Sequence, residues 1–498
     1  MATFNVLNAP WIFVEDNQGQ RKELGILDVL RNCQNYRRLY DTSPILEYGV
    51  YRFLIVFLMD ALRPETSDKL RDLYRRGSID MNTIQKYVDV CKAEGCSFDL
   101  FDKKRPFLQA PYDPALDTKK NIKAVCHLLK DIPSGNNVVH FDHKQEDDRT
   151  LSYAECARAL TSITVFSTAG LDGPSSVNGA PPVFEAVDGK NLYVSLVLGM
   201  VPFSLSTISI DSPPVAWRNK QVIHPNEKCP LTSLFFGMTF PCRRISLIDE
   251  GLDGCIAHMY YQYGLQFTGF DSWIDPHVAY VYDDNGKKHS IKPQKDKEVW
   301  REISNIFVCN KSSASIVRNL VDFYEDIGQQ PILKTYSVVT NQGAYVYWQK
   351  NILSLPITIV RDSEKMSVVS YFIGRMELLA SKTLDVSIRS IEDGEEKKPQ
   401  KTKSKKEKYG DLGYSAMTQF YAQCKIGFYS FCQRLIATTD DFDSLIGEWE
   451  AFLINEARSC FDIVEKGLGN SSKNIMRIAQ EKTSFEKKLA TWKKKGGR

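Results

Sequence analysis

The stretch Phe442-Asp-Ser-Leu-Ile-Gly-Glu-Trp-Glu-Ala-Phe-Leu-Ile-Asn-Glu-Ala-Arg-Ser-Cys-Phe-Asp-Ile-Val464 reads as one long helix. Phe442, Leu445, Ile446, Trp449, Phe452, Leu453, Cys460, Phe461 and Val464 recur every three or four residues, which lays them along one stripe of a 3.6-residue helix. Three neighbouring segments repeat the pattern: Val369 to Leu379, Met417 to Leu435, and Ile475 to Trp492. Each stripe must be buried against another element, and four in series predict a four-helix bundle over residues 363–498. Between the first two helices runs Glu395-Glu-Lys-Lys-Pro-Gln-Lys-Thr-Lys-Ser-Lys-Lys-Glu-Lys408, without a large apolar residue, so 393–409 is expected to be a solvated basic loop.

Upstream the texture differs. From about Ser97 to Val360, short β-branched or aromatic runs such as Val183–Glu185, Leu192–Leu198 and Tyr345–Trp348 are broken by Pro, Gly, Asn and Asp. This predicts an α+β domain over 1–362 with long loops, which in compact domains tend to be functional. Three loops stand out: 133–150; 167–183, with Gly170, Gly173, Gly179 and three prolines; and 211–230, with Trp217, Arg218 and Lys220. At the start, Phe4-Asn-Val-Leu-Asn-Ala-Pro-Trp-Ile-Phe-Val14 is β-prone and precedes a polar turn, as in a hairpin. Residues 25–62 read as two helices, with Leu27, Leu30 and Tyr36 on one side of the first, and 68–92 read as further helix.

Composition bounds the function. The 498 residues are 43% hydrophobic and 25% charged, which is globular usage and excludes a mostly disordered chain. With 64 Lys+Arg against 61 Asp+Glu the net charge is +3, so any affinity for nucleic acid must come from a local surface. The most apolar stretch, 53–62, contains Asp60 and is far shorter than the ~20 residues of a membrane span. No basic leader with a long apolar core opens the chain, and the 12 cysteines are scattered, so they are expected to be reduced thiols in a cytoplasmic protein that contacts no membrane.

Common catalytic signatures are absent: no P-loop, no G-x-G-x-x-G, no H-E-x-x-H, no G-x-S-x-G and no Cys-x2-Cys. His140-Phe-Asp-His143 is the most enzyme-like cluster, since two imidazoles and the Asp142 carboxylate are metal-ligand types. A metal-dependent nuclease or phosphohydrolase centred on it is one reading; a polar loop anchored by Phe141 is the other. Cys242, Cys255 and His258 are a weaker metal candidate beside the alternative of core thiols. Glycines in 167–183 would let backbone N–H groups approach a ligand closely, or merely make a surface connection. Asn341-Gln-Gly343, between two β-prone runs, marks a hairpin tip whose Gln is either solvated or a wedge for a base stack.

Taken together these features resemble the CasA family, the large subunits of type I-E CRISPR Cascade surveillance complexes. The resemblance rests on Phe4–Val14, Phe98-Asp-Leu-Phe-Asp102 with Arg105-Pro-Phe-Leu-Gln109, His140–His143, the glycine/proline loop leading into Val183, Phe267-Thr-Gly-Phe270, Asn341–Gly343 and the terminal helices. It implies a non-catalytic subunit without cofactor. Such a subunit recognises the protospacer-adjacent motif (PAM) in double-stranded DNA, separates the strands, holds the non-target strand and recruits a helicase–nuclease or fused nuclease effector. Its partners would be crRNA, target DNA and the backbone, small and crRNA-end subunits. Residue by residue, the resemblance assigns minor-groove reading to Asn178, Gly179 and Ala180, and the wedge to Asn341, Gln342 and Gly343. It assigns the crRNA-handle contact to Phe141 with His140 and His143, a better account of that cluster than a metal. Strand holding would fall to Lys397, Lys398, Lys401, Lys403, Lys405 and Lys406. The chain departs from the family pattern where a single Gly179 precedes Ala180-Pro-Pro182, and where only Cys255 and His258 stand near a cysteine cluster known in some relatives. A scaffold that binds protein or RNA without reading DNA is the remaining alternative.

Overall fold

The computed structural model of the protein describes residues 2–132, 149–169, 176–269, 273–308, 313–323, 332–341, 344–392, 410–439, 441–468 and 471–496. The chain divides into two compact units, one of residues 1–299 and 305–354, the other of 300–304 and 355–498. The first is mixed α and β and the second is helical, the α+β class expected.

The first unit is built around helix Pro44–Leu62, which is buried nearly all round. Ser43 caps it by accepting from Leu46 N, Pro44 takes the first turn where its missing N–H costs nothing, and Arg63 ends it in the left-handed region. Helix Tyr153–Phe166 crosses it so closely that a Cβ on Gly49 would stand 2.9 Å from the Ser162 backbone, which only glycine permits. Pro44–Leu62 also packs on an antiparallel sheet of Phe184–Val187, Ile332–Asn341 and Ala344–Ser354, the middle strand being Ile332–Asn341, with Tyr48 against Phe184 and Tyr336. Tyr336 of that strand donates to Glu47 of the helix at 2.6 Å, and Lys350 pairs with the same carboxylate at 2.7 Å.

Several local expectations are corrected. The first strand is Ile12–Asp16, not the whole of 4–14, because Asn5 accepts from Leu7 N and Ala9 N bonds back to the Asn5 carbonyl, winding 5–10 into turns. The hairpin to Arg21–Leu24 forms, and a third strand, Tyr36–Leu39, joins it, so Tyr36 lies on a strand and the helix before it is only Ile26–Asn32. The 68–92 region is two helices, Ser67–Arg76 and Met81–Ala93, broken at left-handed Gly77. Leu192–Gly199 is helical, capped by Asn191; buried on every side, it shows no periodicity by which its sequence could be distinguished from a strand.

The second unit has the four long helical segments expected. Ser363–Leu379 passes through a wide π turn, Ala380–Leu384, into Asp385–Glu392; Asp411–Ala437, Phe442–Gly467 and Ser472–Lys494 follow. Trp449 is fully buried at its centre, stacked on Phe452 and donating to the Phe372 carbonyl at 3.1 Å. Next to it Arg375 and Glu450 form a buried ion pair at 2.7 Å, and Glu450 also accepts from the Tyr371 hydroxyl. Among the described residues no helix is long and apolar enough to cross a membrane. The described cysteines are all unbridged, and only Cys255 is not buried.

Candidate nucleic-acid interface

Residues 176–180 form a tight turn. Gly179 N–H donates to Ser176 O at 3.0 Å, and Ser176 N–H donates to Ser167 O at 3.0 Å. Gly179 has φ +70, and nothing lies within 4 Å of where its Cβ would be, so the turn presents bare backbone to open space. A side chain there would strain the turn rather than clash. Ala180 is exposed. Lys292 donates to the carbonyls of Asn178, at 3.0 Å, and of Ala180.

Asn178, expected among the groove-reading residues, turns its side chain inward. Its Nδ2 donates to Asp275 Oδ2 at 2.8 Å and its Oδ1 accepts the Trp273 indole N–H at 3.0 Å. Asp275 is fully buried and holds a bidentate ion pair with Arg52 of the central helix, both bonds 2.8 Å. Burial alone would raise its carboxyl, but the Arg52 guanidinium beside it holds it below the usual carboxylate range. His277 completes the cluster. Its Nε2 lies 2.8 Å from Gly199 O and its Nδ1 2.5 Å from the Arg52 guanidinium, which fits a neutral ring with the proton on Nε2. Burial, with the Arg52 charge adding to it, lowers the imidazole to about 3. The turn is thereby bolted to a buried charge cluster. Arg52, Trp273, Asp275, His277 and Lys292 were missed from sequence; the legible signal was Arg52, a lone cation inside an apolar helical run, which requires a buried anion.

The second candidate element is the hairpin Ile332–Asn341/Ala344–Ser354. Asn341 pairs with Ala344 across a two-residue connection, with a bulge between Val339 and Thr340. Gln342 and Gly343 lie outside the described residues, and for Asn341 only the backbone is described. The register puts this tip toward the same end of the sheet as the turn. Phe184 pairs with Tyr336 and Val187 with Leu333, so the chain preceding Phe184 and the strand beyond Tyr336 run toward the same end of the sheet. Asn341 lies five positions beyond Tyr336, a reach of about 17 Å in a strand. They are linked through helix Tyr153–Phe166: Tyr345, next to the tip, donates to Phe166 O at 3.0 Å, and the following residue, Ser167, accepts from Ser176.

His140, Phe141, Asp142 and His143, and the lysines at 397, 398, 401, 403, 405 and 406, lie outside the described residues. Cys242, Cys255 and His258 do not converge. Strand Arg243–Leu247 pairs with His258–Tyr263 so that Arg243 faces Tyr263, which puts Cys242 at the far end from His258. His258 is taken by Glu250 at 2.9 Å, and among the described residues no three His, Cys, Asp or Glu side chains converge as metal ligands.

Comparison with known proteins agrees with this architecture. The model of the family of CRISPR-associated protein Cse1 matches residues 5–460. The CRISPR-associated protein CasA/Cse1 of Thermus thermophilus is 28% identical over 377 residues, 71% of each chain. Among solved structures, Thermus thermophilus CasA (Cse1) superposes with a TM-score of 0.76 at 22% identity, covering 98% of this chain and 99% of that one. Thermobifida fusca Cse1 gives 0.76 at 17% identity over 98% of both chains. A chain of a CRISPR RNA-guided surveillance complex gives 0.76 at 15%, over 97% of this chain and 100% of its own. With a family match spanning almost its whole length and the same fold throughout, the chain belongs to the CRISPR-associated Cse1 (CasA) family.

Proposed function

We propose that this chain is the large subunit of a type I-E CRISPR surveillance complex and that it reads the protospacer-adjacent motif in duplex DNA and opens the strands beside it. One observation carries the reading: a bare-backbone glycine turn and a hairpin tip lie toward the same end of one sheet, linked through Phe166 and Ser167. In this reading Gly179 and Ala180 approach the minor groove through main chain, where the donor/acceptor pattern is degenerate and tolerance of several motifs is natural. Asn178 holds the turn from behind. Asn341, Gln342 and Gly343 enter the stack where the first base pair must part, and base pairing with crRNA then reads the sequence. The 133–150 loop contacts the crRNA handle through Phe141, with His140 and His143 beside it. The helical unit and the Lys397–Lys406 loop hold the displaced strand by phosphate neutralisation, and the complex recruits a nuclease instead of cutting DNA with this chain.

The test is binding of duplex target with a randomised flank to the crRNA-loaded complex, with and without this chain. Tight binding that selects a flanking motif, and that Gly179→Asp and Gln342→Ala each weaken at least tenfold, is the expected result. Motif-independent binding, or unchanged binding by both variants, removes the reading and leaves a scaffold.

A further inference from the structure

Two stretches that the DNA-reading function leaves unused meet in the first unit. Arg105-Pro-Phe-Leu-Gln109 and the 211–230 loop face each other across a cavity of about 360 Å³. The Arg105 guanidinium joins the walls, donating to the carbonyls of Arg218 at 3.1 Å and Asn219 at 2.9 Å. The loop is anchored from behind: Trp217 donates to Tyr87, and Arg218 pairs with Glu94 at 2.7 Å and with Asp60 at 3.1 Å. The cavity therefore lies between fixed walls, within the 300–1,000 Å³ range of small-molecule sites.

Its chemistry is two-sided. The floor is Leu160, Ile163, Phe236, Ile245 and Leu265. No lining side chain leaves a buried polar atom unpaired, so an apolar body displaces water without breaking a hydrogen bond. Leu108 lines it from a left-handed backbone, φ +51, a conformation unfavourable for a branched side chain. The charged lining is lopsided: Lys104, Arg105, Lys220 and Arg243 against Glu94 alone, which is held by bidentate Arg218 and feels the Lys220 and Arg105 charges as well. Arg105 and Arg243 spend their donors on protein acceptors. Lys104 and Lys220 are exposed, and neither ammonium has a hydrogen-bond partner among the described residues. Each sits one residue from the Arg105–Asn219 bond, so both stand where the two walls meet.

We infer that this cavity is a binding site for an amphipathic organic anion, its apolar body on the Ile163/Phe236/Leu265 floor and its anionic head between Lys104 and Lys220. The experiment uses the full chain, with 8-anilinonaphthalene-1-sulfonate as fluorescent probe and decanoate and decan-1-ol as competitors. Saturable probe binding, displaced by decanoate at concentrations at least tenfold below those decan-1-ol needs, is expected. Lys104→Glu with Lys220→Glu, both exposed and outside the core, should weaken decanoate about tenfold with an unchanged melting temperature. Ile163→Trp should remove the site by filling it. No saturable displacement overturns the inference. So does equal competition by the neutral alcohol, or decanoate affinity unchanged in the charge-reversed chain.

Discussion

Replacing Asn178 with Ala separates holding the turn from reading DNA. The substitution removes a hydrogen bond to a charged carboxylate, 2.8 Å, and one from the Trp273 indole, 3.0 Å. Such bonds contribute about 1.5–3 and about 1 kcal/mol respectively. Asn178 is half-buried, so water recovers part of this, and Asp275 keeps both bonds to Arg52. A net loss of about 2 kcal/mol in the order of the turn remains, equivalent to roughly a 30-fold fall in the ratio of turns that present Gly179 and Ala180 correctly to those that do not. Binding of motif-bearing duplex by the crRNA-loaded complex should weaken 10- to 30-fold, measured by titration at fixed salt, while the ranking of flanking motifs stays the same. A loss below twofold would mean that the turn holds itself. A changed motif ranking with a natively folded chain would mean that Asn178 touches bases, and the reasoning from its inward side chain would fail.

Further outcomes follow from the buried charges and the cores. His277 has a folded value of about 3, below its ordinary 6.5, so its contribution is fully present above pH 6.5 and is lost as pH falls toward 3. In urea titrations His277→Gln should therefore show a shallower loss of stability than wild type between pH 6.5 and 4. Glu185 acts oppositely. It is fully buried, and burial pushes its carboxyl well above 4.5, opposed only in part by the Ala279 backbone, so its contribution is present at acid pH and lost as pH rises. Glu185→Gln should raise stability at pH 7 by about 1–3 kcal/mol and change little at pH 4, as read by denaturant midpoints. Asp275→Asn leaves Arg52 buried without its counter-charge and should cost about 3–5 kcal/mol in the same assay. Trp449→Ala should cost the helical unit about 3–5 kcal/mol, seen as an earlier thermal transition.

Periodicity made the four terminal helices legible because each is wetted on one side, so burial imprints a repeat on the chain; Trp449 and Phe452 fall where the stripe puts them. The same logic failed at Leu192–Gly199, buried all round, and at Tyr36, where apolar spacing fitted a helix but pairing with strand Ile12–Asp16 won. Gly179 and the 341–343 tip were readable as turn chemistry, since left-handed backbone and tight hairpins narrow the choice of residue. The sequence alone determined local matters: helix stripes, turn residues, the missing catalytic motifs and the near-neutral charge. Tertiary structure decided which distant groups meet. Arg52 and Asp275 are 223 positions apart, and Asn178 meets them where the following segment, Phe184–Glu185, pairs with His277–Val278. A buried ion pair has no spacing rule. Its partners are chosen by desolvation in the folded interior, where an unpaired charge is too costly to keep, and that choice exists only once the fold has formed.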